Sequence, residues 1–243
     1  MAKNKHQSAS QMLETRAAQV QRGAARAAVL GVNDGLVSVL CIVIGVAAAG
    51  ADAKSVLLAG FAGMLAGGIS MAAGEWISVK AQVELFENVL RDLKEIVKID
   101  KHLLEKNLIK NFEAHGIDSR VAGQAVLEVA SSEKEFVSMY SSQVIGLNED
   151  ELGSPWVAAL SSFLLFTMGS LPPLVPWILG MNGEGGVLIA ILLTGIASLF
   201  VGGYTAKTSG KSMTYGAVRQ LLIVVFASVV TYGLGNAFGI AIS

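Results

Sequence analysis

The chain holds 243 residues, of which 53% are hydrophobic and only 15% charged, with a mean hydropathy of +0.57. A formal charge of -1 leaves no basic excess to hold a nucleic-acid backbone, and the one cysteine, Cys41, excludes an intrachain disulfide. The charge that is present avoids five stretches, each long enough to supply the roughly 20 apolar residues that cross a hydrocarbon core, and this predicts an all-α integral membrane protein.

Residues 1–26 carry Arg16, Arg22 and Arg26 and read as an N-terminal cytoplasmic segment. Ala27 to Gly50 is the first expected transmembrane helix. The arginines before it and the small residues after it imitate a signal peptide, but its length and Asp34 argue for a retained helix. Val56 to Val79 is the second, so residues 27–79 form a pair of spans.

Asp34 and Glu75 are the only acids inside the apolar segments. They lie in Asn33-Asp34-Gly35-Leu36-Val37-Ser38 and in Ser70-Met71-Ala72-Ala73-Gly74-Glu75-Trp76. A carboxylate at bilayer depth costs on the order of several kcal/mol unless it is paired, protonated or hydrated, and the default reason for one is a pathway for a cation or proton. Other readings stay open for each residue. A methionine such as Met71 is ordinarily packing in a span, and Asp34 could bond a neighbouring helix. Glu75 could pair with a snorkelling Lys80, while Asn33, Ser38 and Ser78 suit helix–helix hydrogen bonds. The pairs Gly31/Gly35, Gly63/Gly67 and Gly235/Gly239 are each four apart and let backbones approach, either inside the bundle or along a homodimer seam on the first or second span.

Residues 80–154 are too long for a tight loop and too patterned for disorder. Val79, Val83, Phe86, Leu90, Leu93 and Val97 recur at helical spacing and predict a helix continuing out of the second span. Leu104, Leu108 and Phe112 predict a second helix ended near Gly116. Asp118 reads as the N-cap of a third that carries Val121, Ala125, Val129, Phe136 and Tyr140. The expected architecture is therefore five transmembrane helices with a three-helix cytoplasmic insert between helices two and three.

Residues 155–243 supply spans three to five: Pro155 to Leu179, Gly186 to Ala206 and Tyr215 to Ile240. Pro172, Pro173 and Pro176 predict a kink or break in the third, or its early end. Orientation follows from the basic residues. The N-terminal segment, the insert from Lys80 to Lys134, and Lys207, Lys211 and Arg219 all fall on one side, whereas the opposite connections hold only Lys54. The positive-inside rule places the N-terminus and the insert in the cytoplasm and the C-terminus outside or in a lumen.

The Asn33–Ser38 run, the run Ile69-Ser70-Met71-Ala72-Ala73-Gly74-Glu75-Trp76-Ile77-Ser78-Val79-Lys80-Ala81-Gln82, the Glu151-Leu152-Gly153-Ser154-Pro155-Trp156 approach to span three and its Pro-Pro-Leu run together resemble the vacuolar iron transporter family. The resemblance covers nearly the whole chain from Arg22 onward. It implies a five-span homodimer that moves Fe²⁺, and often Mn²⁺, out of the cytosol in exchange for protons, without a bound cofactor. The implied pore lies between protomers and is lined by the first two helices. Asp34, Met71 and Glu75 match its metal positions. A carboxylate with a thioether suits a borderline-soft ion better than Ca²⁺ or Mg²⁺. The membrane would be a plasma (inner) membrane in a prokaryote or a vacuolar one in a eukaryote.

The insert departs from the family pattern. Glutamates expected on its first two helices fall on Leu93, Leu104 and Asn107, and a Glu-Leu-Gly run is replaced by Val144-Ile145-Gly146. Lys94, Lys98, Lys101, Lys106 and Lys110 repel a divalent ion. Glu84, Glu87, Glu95, His102, Glu105, Glu113 and Met139 remain as weaker candidate ligands, on what otherwise reads as a solvated charged face. Transport is favoured over a transport-inactive membrane scaffold or regulatory homologue by the paired membrane acids. An intramembrane hydrolase is disfavoured, because His6, His102 and His115 all lie outside the spans.

Overall fold

Backbone polar groups in lipid have no water to bond, so each apolar segment must satisfy its own as a helix. The computed structural model describes residues 23–148 and 152–242, leaving Arg16, Arg22 and Glu151 outside the described residues. Its α-helices are α1 (Gly23–Ala48), α2 (Ala53–Ala114), α3 (Ser119–Val129), α4 (Glu133–Tyr140), α5 (Pro155–Ile178), α6 (Gly183–Thr208) and α7 (Met213–Ile242). A π-helical turn, Ser141–Ile145, follows α4, and no strand occurs among the described residues. Among them α1, α2, α5, α6 and α7 are long and apolar enough to cross a membrane; the chain is a multi-pass membrane protein. Asp52 caps α2, taking the Ser55 N–H at 3.1 Å. Ser55 also holds the Asp52 carboxyl below the usual carboxylate range, first through its side chain and then through its N–H.

The chain divides into two compact units, residues 1–76 with 155–243, and residues 77–154. In the first, α1 packs against α5, α6 and α7. The core joins Val39, Leu40, Val43 and Ile44 of α1 to Met64, Phe166, Leu174, Trp177, Ala190 and Val224. Lipid provides no hydrophobic drive between helices, so close backbone approach has to hold them together. Gly31 and Gly35 lie against Ser162, Phe166 and Ser170 of α5. Gly235 lies against Gly45 and Ala48 of α1 and Gly239 against Ala49 just beyond its end, while Gly63 and Gly67 face Ile42 and Phe166. All three glycine pairs therefore serve packing within one chain. On α2 the opposite face, with Leu58, Phe61, Leu65 and Ile69, is the exposed one.

α5 contains Pro172, Pro173 and Pro176 inside a helix that continues to Ile178. Each proline lacks the N–H that would bond the carbonyl four residues earlier, yet Pro173, Leu174, Pro176 and Trp177 are all buried. Packing holds the helix where its own ladder is incomplete.

In the second unit the stripe predicted for α2 is present, with Phe86, Leu93 and Val97 buried. Asp100 breaks the helix at φ -147°, ψ 73°, and its carboxylate restarts it by accepting the Leu103 N–H at 3.0 Å. Leu104 and Leu108 are buried in the restarted part. Gly116, at φ +87°, ends it, in a left-handed conformation that suits glycine. Asp118 caps α3 through the Arg120 N–H at 3.1 Å.

The third predicted helix is two. Ser132 caps α4 by accepting the Glu135 N–H at 3.4 Å, and the break at Ala130–Ser132 resets the helical phase. Ala122 and Val126 are therefore the buried residues of α3, whereas Val121 and Ala125 are exposed. Lys101 ties these pieces together. Its ammonium donates to the Ala130 carbonyl at the end of α3 and lies 5.7 Å from the centroid of the Phe136 ring.

Candidate metal-ion site

Asp34 lies on an exposed part of α1, and the hydrogen bond recorded for its carboxylate comes from its own helix: Ser38 Oγ donates to Oδ1 at 2.8 Å. Asn33, one residue earlier, turns inward and accepts a hydrogen bond from Gln220 of α7. Adjacent helical residues point about 100° apart. The inward amide on Asn33 thus helps hold Asp34 outward. Sequence reading passed over Gln220, although a lone amide in an otherwise apolar span is the signal of an interhelical bond.

Met71 and Glu75 are half-buried on α2. Met71 packs against the membrane core, so part of it does serve packing. Lys80 pairs with Glu84 at 3.3 Å, and no ion pair to Glu75 is present among the described residues. Trp76 makes an edge-on pair with Trp156 of α5, ring centroids 5.8 Å apart, of the kind that lines a membrane–water interface.

The relative level of the three residues follows from the direct contacts of α1 with α2: Gly63 lies against Ile42 and Gly60 against Val43. The two helices run antiparallel, so Asp34, eight residues before Ile42, stands near the level of Met71, eight residues after Gly63. A rise of about 1.5 Å per residue sets Glu75 about 6 Å further along α2. No group of three His, Cys, Asp or Glu placed to hold a metal occurs among the described residues.

The weaker candidates are dispersed. Glu84, Glu87, Glu95 and Glu113 are exposed on α2. Only His102 and Glu105 come together, Nδ1 to Oε2 at 3.3 Å. Met139 packs against the core of the second unit and borders a shallow hollow with Lys134, Glu135 and Ser142. One acid–imidazole pair is two ligands, fewer than a dedicated divalent-cation site needs.

Five helices long and apolar enough to cross a membrane, whose apolar segments hold Asp34 and Glu75 as their acids, define a multi-pass membrane protein. The model of the VIT family matches residues 25–236, and the chain belongs to that family. It is 31% identical over 221 residues to vacuolar iron transporter homolog 1 of Oryza sativa subsp. japonica, covering 88% of this chain and 73% of that protein. With vacuolar iron transporter homolog 2 of Arabidopsis thaliana it shares 30% over 219 residues, 88% and 84% of the two chains. With vacuolar iron transporter 1 of Oryza sativa subsp. japonica it shares 26% over 214 residues, 87% and 84%.

Proposed function

We infer that the chain moves Fe²⁺, and Mn²⁺ as a second cargo, out of the cytosol through a pore between two copies, in exchange for protons. The observation that carries this is Asp34: a carboxylate inside an apolar, membrane-length segment, on an exposed helix face, bonded among the described residues to a hydroxyl of its own helix. Such a group is too costly to leave facing lipid. A second copy related by a two-fold axis would bring its own Asp34 to the same surface, and the names of the relatives supply iron as the cargo. Glu75 would receive the ion at the mouth, and Asp34 and Met71, about one helical turn further in, would hold it. Protonation of these carboxylates from the far side would release it, since a carboxylate ligates only when deprotonated. Reconstituted in vesicles, the chain is expected to drive Fe²⁺ flux that rises with an opposing proton gradient; absence of flux under either gradient direction overturns the reading and leaves the transport-inactive homologue, which the dispersed acids of the insert favour.

Two further outcomes are expected. The exposed face of α2 should lie at the two-fold axis, so single cysteines at Leu58, Leu65 or Ile69 in a Cys41→Ser background should give a cross-linked dimer at one position or more. One at buried Met64 should give none. A chain that cross-links at none of the exposed positions in a bilayer has its pore elsewhere. For orientation, a cysteine at Lys54 should label from outside intact cells and one at Lys98 should not; the reverse pattern would invert the direction of export.

A further inference from the structure

We propose that the paired ends of α6 and α7 form a binding surface for the headgroup of an anionic phospholipid. The first ground is position. α6 ends at Thr208 and α7 begins at Met213, and both helices are long and apolar enough to cross a membrane. The two ends pack together: a Cβ on Gly202 would meet the Gln220 Cβ at 2.6 Å. The last turn of α6, the connection at residues 209–212 and the first turns of α7 therefore stand at one end of two adjacent spans, where the headgroup layer begins and long basic side chains can snorkel to it.

The second ground is charge. This protruding end carries Lys207, Lys211 and Arg219, all exposed, and no Asp or Glu occurs anywhere from residue 185 to the last residue. None of the three makes an ion pair among the described residues. The third ground is the aromatic setting. Tyr204 and Tyr215 are 67% and 58% exposed, with a polar tip for the headgroup layer and an apolar ring for the acyl boundary. The Arg219 guanidinium lies 5.9 Å from the centroid of the Tyr215 ring. That contact limits its motion and leaves its donors available to a phosphate. Three cations of one sign, without local counter-charge and at headgroup depth, complement a phosphodiester that carries a net negative charge, and not a zwitterionic lipid.

The test uses the full chain in mild detergent, offered equimolar phosphatidylglycerol and phosphatidylcholine with identical acyl chains, with retained lipid read by native mass spectrometry. Wild type should retain phosphatidylglycerol preferentially. Arg219→Gln and Lys211→Gln should each lower that preference about fivefold, and Lys54→Gln, at the other end of the bundle, should leave it unchanged. Raising the salt to about 1 M should weaken it. The exposed turn substitution Lys211→Glu, which touches no packed residue, keeps the test decisive if Arg219→Gln lowers expression. An equal preference in wild type and all variants, or an equal loss in Lys54→Gln, overturns the proposal. Displacement of the lipid by millimolar inorganic phosphate overturns it too, because the surface would then read free phosphate.

Discussion

Replacing Asp34 by Asn and Glu75 by Gln together should abolish metal flux in vesicles while leaving the protein folded and normally expressed. Both changes remove a charge and keep the volume. The amide introduced by Asp34→Asn retains an oxygen to accept the Ser38 hydroxyl, which bonds the Asp34 carboxylate at 2.8 Å, and Glu75→Gln breaks no ion pair present among the described residues. The free energy at stake is that of the ion. A dehydrated divalent cation needs anionic ligands in a low-dielectric path, and loss of even an outer-shell partner costs roughly 10- to 100-fold in affinity or activity. The single variants should separate by depth. Glu75→Gln, at the mouth, should chiefly raise the metal concentration for half-maximal flux. Asp34→Asn, deeper, should chiefly lower the maximal rate and its response to the proton gradient. Met71→Leu should tilt preference away from softer ions with little loss of stability, because Met71 packs on the core and the volume is nearly conserved. Unchanged flux in the double variant at normal expression would sink the mechanism.

What could be read from the sequence was local or rare. Asp34 and Glu75 stood out because charge is costly at bilayer depth, and the ends of the helices in the insert followed from Gly116 and Asp118, whose roles depend on a few neighbouring residues. What escaped depended on partners distant in the chain. The hydrogen bond from Gln220 to Asn33 spans a separation of 187 residues, and nothing near either residue announces the other. Gly63 and Gly67 form a small-residue pair that suits a dimer as well as a bundle, and only the positions of Ile42 and Phe166 assign it to the bundle. The apolar stripe predicted across α3 and α4 assumed one unbroken period, and Ser132 interrupts it with a cap. Lys101, which reads as one more lysine repelling metal, proves to be bonded to the end of α3. The prolines of α5 were ambiguous because a missing N–H breaks a solvated helix but is tolerated in a packed one.

The second large effect concerns the crossing that sets Asp34 in place. Gly35→Leu, and to a lesser degree Gly35→Ala, should remove most of the folded protein, and so should Gly169→Leu. A Cβ on Gly35 would overlap the carbonyl oxygen of Phe166 and approach the Ser170 nitrogen at 3.0 Å; a Cβ on Gly169 would overlap the carbonyl oxygen of Val32. These obstacles are backbone atoms of facing helices, so no rotamer change relieves them and α1 must move away from α5. Overpacking a core typically costs about 1–3 kcal/mol where side chains can yield. Here they cannot, and the expected loss is at the upper end of that range or beyond it, a large part of the total stability of a folded chain. Gly74→Ala is the matched control: it sits beside Glu75 on an exposed part of α2, and a Cβ there would meet no atom within 4 Å. The readout is the thermal unfolding midpoint and the monodisperse fraction in mild detergent. A Gly35→Ala protein as stable as Gly74→Ala would show that α1 and α5 do not cross at the distance that holds Asp34 on its outward face, and the proposed pore would lose the helix that positions its deeper carboxylate.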